Sequence, residues 1–562
     1  MVAPKVPGSA EPDPHDPLAG RVRMLDPATA VRRADSARPM TTSYFEDTVL
    51  LAGTPELRGS ELATLAELAR ERGWVVSVDP RDVRELEVLG RADLPDDAYA
   101  FVLEHAGFGV RISAEPGEVR HPVDAWPLLE DLVDKTGAPA VAALDHVLAA
   151  TVGIGGNPFT QPLPFTQPLP FTQPLPFTQP LPFTQPLPFT QPLPYAGLTE
   201  YAVPGSGGRT PTAWVGPRPH RRHADGADVL RSADGTTRPV VALLDTGTRT
   251  HPWFPDSVVV RDPQVLGVPV GTPGATEGRG MTVAPLTGPL DAATGHGTFI
   301  SGLVHQRCPD AVIVSAALYG GSGAIEEHDL MRSLRRLLTY HLLGVSGRKG
   351  YLPIDVLVLS FGYYHERPED VDFDGPLGRV LLGLARAGVA IVASAGNDGT
   401  TRPMHPAAFA PRLAHWHPPT PAAPLDPTVP PLLAVGAQNP DGSTALFSND
   451  GPWVTCVRPG ADVVSTMPVE LTGALSATRD LAGGHRGEIR RTVDPDSFAG
   501  GFGIWSGTSF SAPVLGGDLA EALLREREEQ SPAEPAAWGE STERRCAAAW
   551  RAITETTGLT PH

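Results

Sequence analysis

Val240-Val-Ala-Leu-Leu-Asp-Thr-Gly247 is an unbroken apolar run that ends in a carboxylate and a glycine. Such a run suits a strand buried on both faces of a parallel sheet, and the glycine lets the chain turn away at its carboxyl end. Comparable runs recur at Ala311–Ala316, Ile354–Leu359, Val389–Ala393 and Leu432–Val435. Helical periods separate them, among them Leu330, Leu334, Leu337 and Leu338, and then Leu377, Val380, Leu381 and Leu384. Strands alternating with helices predict an α/β fold, a doubly wound parallel sheet whose site lies at the carboxyl ends of the strands.

Asp245 closes the first of these runs, where by itself it reads first as a turn cap. Gly295-His296-Gly297-Thr298 precedes Ile300, Leu303 and Val304 at helical spacing, so a histidine stripped of bulky neighbours opens a helix. Ser506-Gly-Thr-Ser509-Phe-Ser-Ala-Pro513 leads into another helix, where a serine is ordinarily an N-cap. Val389-Ala-Ile-Val-Ala-Ser-Ala-Gly396-Asn397 ends a strand on an amide that could form an Asx-turn or donate to a developing oxyanion. Taken together, an Asp, a His and a Ser at element ends with small neighbours are the parts of an acyl-transfer triad.

In this order, Asp245-Thr-Gly, His296-Gly-Thr and Gly507-Thr-Ser509-Phe-Ser-Ala-Pro resemble the subtilisin-like serine peptidase family over roughly residues 206–562. The resemblance implies an endopeptidase on a seven-stranded parallel sheet. Asp245 would orient His296, His296 would take the proton of Ser509, and Asn397 with the Ser509 N–H would hold the oxyanion. It also implies that Gly320, Gly321 and Ser322, and Ser360, Phe361 and Gly362, pair with an extended substrate, with Ala395 and Gly396 beside them. No cofactor and no metal site are expected. In the family an Asp that often follows the His-Pro pair serves calcium, and here Trp253 follows His251-Pro252. His405, His415 and His417 lie in a Pro-rich loop without supporting carboxylates. Two insertions, about 267–289 and 469–501, flank the site where loops gate or select substrate. Cys546–Thr554 reads as a terminal helix and Cys456 as a core residue.

The whole chain has 562 residues with 45 basic and 64 acidic side chains, a net charge of −19 that disfavours general binding to nucleic acid or an anionic membrane. Three cysteines exclude a disulfide scaffold. Neither a secretory h-region nor a run of ~20 apolar residues is visible, which gives a cytoplasmic expectation.

Residues 1–40 read as a disordered tail and 41–150 as a small α+β domain. In that domain strands are expected at Thr48–Leu51, Trp74–Val78, Tyr99–Leu103 and Phe108–Ile112. Helices are expected from Leu62 to Gly73, at Ala125–Val133 and at Val141–Ala149. Residues 151–205 form a Pro-rich linker in which Phe-Thr-Gln-Pro-Leu-Pro repeats six times from Phe159 to Pro194. Two prolines per repeat block helix and central strand and favour polyproline II, a semi-rigid spacer. Residues 206–562 are the peptidase domain. The N-terminal domain is read either as a docking module for a partner or as a propeptide-like unit. The expected function is a serine endopeptidase acting on a peptide or protein substrate, read as a selective intracellular processing protease. The alternative is a catalytically idle binding or scaffold module.

Overall fold

The computed structural model describes residues 21–32, 37–117, 121–137, 141–150, 208–213, 215–272, 290–320, 323–367, 375–472, 480–481, 483, 485–529 and 538–561. The linker expected at 151–205 lies outside them. The N-terminal unit runs β1 (Val22–Met24), β2 (Ser43–Ala52), α1 (Gly59–Glu71), β3 (Trp74–Val78), α2 (Pro80–Leu89), α3 (Asp96–Glu104), β4 (Gly107–Ala114), α4 (Ala125–Thr136) and β5 (Ala142–Ala150). Its strands pair antiparallel in the order β5-β2-β4-β3, with β1 on the start of β2.

Alternation along β2 divides its side chains between two cores. Val49 and Leu51 pack with Leu65 and Leu68 of α1 and Leu128 and Leu132 of α4. Leu50 faces the other way and joins the core of the following domain. Burial on both faces explains why the end of β2, Val49–Ala52, is continuously apolar.

Three expectations are corrected here. Tyr99–Leu103 belongs to helix α3, where Asp96 and Asp97 complement the helix N-terminus and Ala98 and Val102 share its buried face. Val141–Ala149 is strand β5, since a short apolar run carries no period that separates helix from strand, and its pairing partners decide. Order also begins before residue 41: Arg21 is paired with Asp47 at 2.8 Å, and Arg23 with Glu46 and Asp124 at 2.8 and 2.9 Å, which fastens β1 to the sheet.

The second part begins with β6 (Thr210–Pro211), β7 (Val240–Asp245), β8 (Val259–Arg261), the hairpin β9 (Gln264–Val265) and β10 (Val268–Pro269), α5 (His296–Arg307), β11 (Val312–Ala317), β12 (Ala324–Glu326) and α6 (Glu327–Val345). It continues with β13 (Val356–Leu359), β14 (Phe361–Gly362), α7 (Pro376–Arg386), β15 (Ala390–Ser394), β16 (Leu413–His415), β17 (Thr420–Pro421), β18 (Leu433–Gln438) and β19 (Cys456–Pro459). Last come β20 (Val463–Thr466), β21 (Asp480–Leu481), β22 (Arg490–Arg491), β23 (Phe502–Trp505), α8 (Thr508–Glu529) and α9 (Trp538–Thr557).

Seven strands form one parallel sheet in the order β19-β18-β15-β13-β7-β11-β8. Every residue of β7, β11, β13 and β15 is buried, as their unbroken apolar runs require. The chain leaves β7 toward β11 on one side and returns to β13 on the other, so the strand order reverses at β7. That switch point is where an open α/β sheet leaves a crevice. At the opposite end, Asp355 accepts the Val240 N–H at 2.8 Å and pairs with Arg527 of α8 and Arg545 of α9, tying both terminal helices to the sheet. No helix among the described residues is long and apolar enough to cross a membrane.

The two parts share a sheet. β5 pairs antiparallel with β12 and β14 as well as with β2, which joins the N-terminal unit to the peptidase by backbone hydrogen bonds.

Candidate active site

Asp245 is the last residue of β7 and His296 the first of α5. What brings them together is a close approach of backbones. The Gly297 N–H donates to Thr246 Oγ1 at 2.8 Å, and a Cβ on Gly297 would lie 2.1 Å from the Gly247 carbonyl oxygen. Only glycine fits at 297, and Gly297→Ala is expected to lower unfolding stability by roughly 1–3 kcal/mol through overpacking. Denaturant unfolding checks this; an unchanged midpoint would mean the two backbones are not held in contact.

Asp245 Oδ1 accepts from His296 Nδ1 at 2.8 Å and from the Thr246 N–H at 2.8 Å. Its Oδ2 lies 3.0 Å from the same Nδ1 and accepts the Tyr319 hydroxyl at 2.6 Å. An ionised carboxylate only accepts, so Nδ1 carries the proton and Nε2 presents a lone pair. That Nε2 is buried and has no hydrogen-bond partner among the described residues. The imidazole packs edge-on against Trp505 at 5.5 Å between ring centres and against Phe510 at 5.3 Å.

Ser509 is the second residue of α8 and is buried. Pro513, four residues on, has no N–H with which to close the helical bond to the Ser509 carbonyl. Ser360 supplies the missing donor: its Oγ donates to the Ser509 carbonyl at 3.0 Å, while Ser509 Oγ donates back to the Ser360 carbonyl at 3.2 Å. The serine–histidine hydrogen bond is therefore not formed in this arrangement.

Asn397 Oδ1 accepts from both the N–H and the hydroxyl of Thr508, each at 2.8 Å. A backbone N–H is never an acceptor, so the amide orientation is fixed and its NH₂ faces away from Thr508. The Gly396 N–H donates to Thr508 Oγ1 at 3.0 Å, which locks the loop to the start of α8. Gly396 adopts φ +108°, and a Cβ there would fall 2.2 Å from Asn449 Nδ2. The Ala395 and Gly396 carbonyls both accept from Asn449, at 2.9 Å each.

Of the two stretches expected to pair with substrate, Phe361 and Gly362 pair with β5, and β12, which follows the first stretch, pairs with it as well. Ala149 stands opposite both Ala324 and Gly362, and Ala150 opposite Phe361. The Ala150 N–H donates to the Gly323 carbonyl at 2.7 Å, and the Gly320 carbonyl accepts from the Gly323 N–H at 3.1 Å. Gly321 and Ser322 lie outside the described residues. The sequence reading missed the roles of Thr508 and Tyr319 and the destination of β5. The proline at 513 was a signal for an external partner on Ser509, and Tyr319 carried none beyond its place beside the glycines.

Residues 236–547, just over half of the chain, match the sequence profile of the Subtilase family. The chain belongs to the subtilase family. It is a subtilisin-like serine endopeptidase. It is 25% identical over 252 residues to Subtilisin BL of Lederbergia lenta, which covers 43% of this chain and 73% of that protein. Subtilisin Savinase from the same organism is 25% identical over 256 residues, again 43% and 73%. Among solved structures, fervidolysin from Fervidobacterium pennivorans, a keratinolytic enzyme related to subtilisin, matches 87% of this chain and 56% of its own at 14% identity with a TM-score of 0.40. A lanthipeptide protease matches 54% and 78% at 18% identity with a TM-score of 0.33.

Around β5 this subtilase buries a network of charges. His146 bridges two carboxylates, with Nδ1 2.6 Å from Glu327 and Nε2 2.8 Å from Glu366. Burial alone would lower the pKa of His146, but the two glutamates overcome it and push it up to about 10. Asp145 is raised to about 7 by burial and then by Glu326. Arg335 of α6 reaches across to Asp82 at 2.9 Å and Glu85 at 2.7 Å, and His328 to Asp82 at 2.7 Å.

Two trios here have the spacing of metal ligands: His146, His365 and Glu366, and Asp145, Glu326 and His328. In the first, both His146 nitrogens are taken by glutamates, and His365 Nδ1 accepts the Arg367 N–H at 3.0 Å. In the second, Arg81 and Arg111 stand 3.5 and 3.9 Å from Glu326 and already supply the positive charge.

Proposed function

We propose that this subtilase hydrolyses peptide bonds through an acyl-enzyme on Ser509, with Asp245 and His296 as the proton-transfer pair and Asn397 with the Ser509 N–H as the oxyanion donors. The observation that carries this reading is the buried Asp245–His296 pair, which fixes the tautomer and leaves the Nε2 lone pair as the base. Rotation of the Ser509 side chain away from the Ser360 carbonyl is the motion that gives Nε2 its proton. Catalytic hydrogen bonds commonly tighten only when substrate is bound. As Ser509 Oγ attacks a peptide carbonyl, its proton passes to Nε2 and the new imidazolium is balanced by Asp245. In this reading the oxygen that gains charge accepts from Asn397 and the Ser509 N–H, an arrangement worth several kcal/mol in such sites. His296 then returns the proton to the leaving amine, and water repeats the sequence to free Ser509.

The N-terminal unit is proposed to act in the manner of an inhibitory propeptide, more than as a docking module for a separate partner. In support, β5 occupies the same two edges that an extended substrate would add to. The insertions beside the site favour a processing protease with narrow substrate choice over a general one.

Two measurements test these readings. A fluorophosphonate probe is expected to label the wild type and not Ser509→Ala; a wild type that stays unlabelled would support the idle binding module instead. Intact mass is expected to show a shorter species for the wild type and the full chain for Ser509→Ala. Identical masses would remove the propeptide reading and leave the hydrolytic one standing.

A further inference from the structure

Asp245 is 1% exposed, so each donor to its carboxylate replaces a water it has lost. Oδ1 is served by Thr246 N–H and by His296 Nδ1. Among the described residues, Oδ2 receives only a longer approach from that same Nδ1, at 3.0 Å, and one dedicated donor, the Tyr319 hydroxyl at 2.6 Å. This length is typical of an O–H donating to an anion, among the stronger hydrogen bonds in proteins.

The position of Tyr319 is set by the sheet. It lies two residues beyond β11, whose Ala317 stands in register with Asp245 on β7. The Leu318 N–H donates to the backbone carbonyl of Asp245 at 2.7 Å, so the segment is clamped against the aspartate at two points. The tyrosine ring also meets Phe361 edge-on, with centroids 6.1 Å apart and planes at 89°. One side chain thus touches the acid of the proposed triad and a wall of the substrate cleft, and the chain that follows it forms the other wall.

We propose that Tyr319 is a positioning residue of the triad, whose hydroxyl holds the Asp245 carboxylate in line with His296 and draws off part of its charge. The inference rests on the triad reading given above. Its chemical consequence has a definite sign. Without the hydroxyl, the negative charge of Asp245 acts more strongly on the imidazole, which keeps a proton to higher pH. A tyrosine that only fills space would lack this effect.

The test is the rate of fluorophosphonate labelling of the protein as purified, in the form intact mass shows, between pH 5 and 10, for the wild type and Tyr319→Phe, which keeps the ring. The acidic limb of the rate profile is expected to move to higher pH by about half to one unit, as loss of a hydrogen bond to a charged group implies. The rate on the alkaline plateau is expected to change less than about tenfold. The low-field proton resonance of His296 Nδ1, assigned by its loss in His296→Ala, should shift in the same variant. An unmoved limb and resonance, or an equal fall in rate at every pH, would overturn the proposal and leave Tyr319 a packing residue. An unlabelled wild type would overturn the triad reading and this inference with it.

Discussion

Ser509→Ala and His296→Ala are each expected to lower peptide hydrolysis by about 10⁶-fold in turnover, the scale established for the subtilisin triad. The two losses should not add. Removing the hydroxyl removes the nucleophile, and removing the imidazole leaves an alcohol with no base, so the double variant should be about as slow as either single one. Asp245 is expected to matter less than its partners, because it orients and balances His296 without touching the reacting carbonyl. Steady-state kinetics on a peptide substrate check the ordering. If Ser509→Ala retained wild-type turnover, hydrolysis would proceed elsewhere and the site would lose its assignment.

His146→Ala is expected to release the N-terminal unit. The substitution strands Glu327 and Glu366, 1% and 3% exposed, without their shared cation, and breaking a buried ion pair in this way costs roughly 3–5 kcal/mol. That corresponds to a loss of docking on the order of 10²–10³-fold or more. In a Ser509→Ala background, which prevents self-cleavage, hydrogen exchange at the amides of residues 142–150 should lose most of its protection. Retained protection would show that the backbone pairing of β5 holds without the ion network.

Alkaline pH should act in the same direction. His146 in the docked state titrates near 10, above its ordinary value of 6.5, so its contribution is fully present below about 6.5 and disappears as pH rises through 10. Asp145 is likewise raised, to about 7, and the docked form resists its ionisation, a penalty that grows between about 4 and 7. Glu366 and Asp82 work in the opposite sense. Burial would raise them, but His365 and His146 hold Glu366, and His328 and Arg335 hold Asp82, below the usual carboxylate range. Their contribution is present above the ordinary carboxylate values and fades in strong acid. Docking is thus expected to be tightest in mild acid and to weaken from neutral pH to about 10. Exchange protection at 142–150, corrected for intrinsic rates, measures it, and protection that rises toward pH 10 would contradict the sign.

Much of the peptidase was legible in the residues themselves. Val240–Leu244, Ala311–Ala316 and Val389–Ala393 could be placed as buried parallel strands because a strand covered on both faces favours apolar side chains along its whole length, and their ends fall within a residue or so of those found. Asp245, His296, Asn397 and Ser509 stood out because each sits at an element end among glycines and other small residues. The N-terminal unit was less legible, with Tyr99–Leu103 and Val141–Ala149 assigned to the wrong element. Short apolar runs have too few residues to show a period.

The residue pattern by itself determined the doubly wound sheet and the identity of the chemical groups, since burial and turn geometry act locally on the chain. Only the tertiary structure decided that Ser509 rests on the Ser360 carbonyl, that Tyr319 reaches Asp245, and that β5 fills the edges between β12 and β14. Those contacts join residues far apart along the chain, and no local propensity reports a hydrogen bond whose partner is supplied by the folding of another segment.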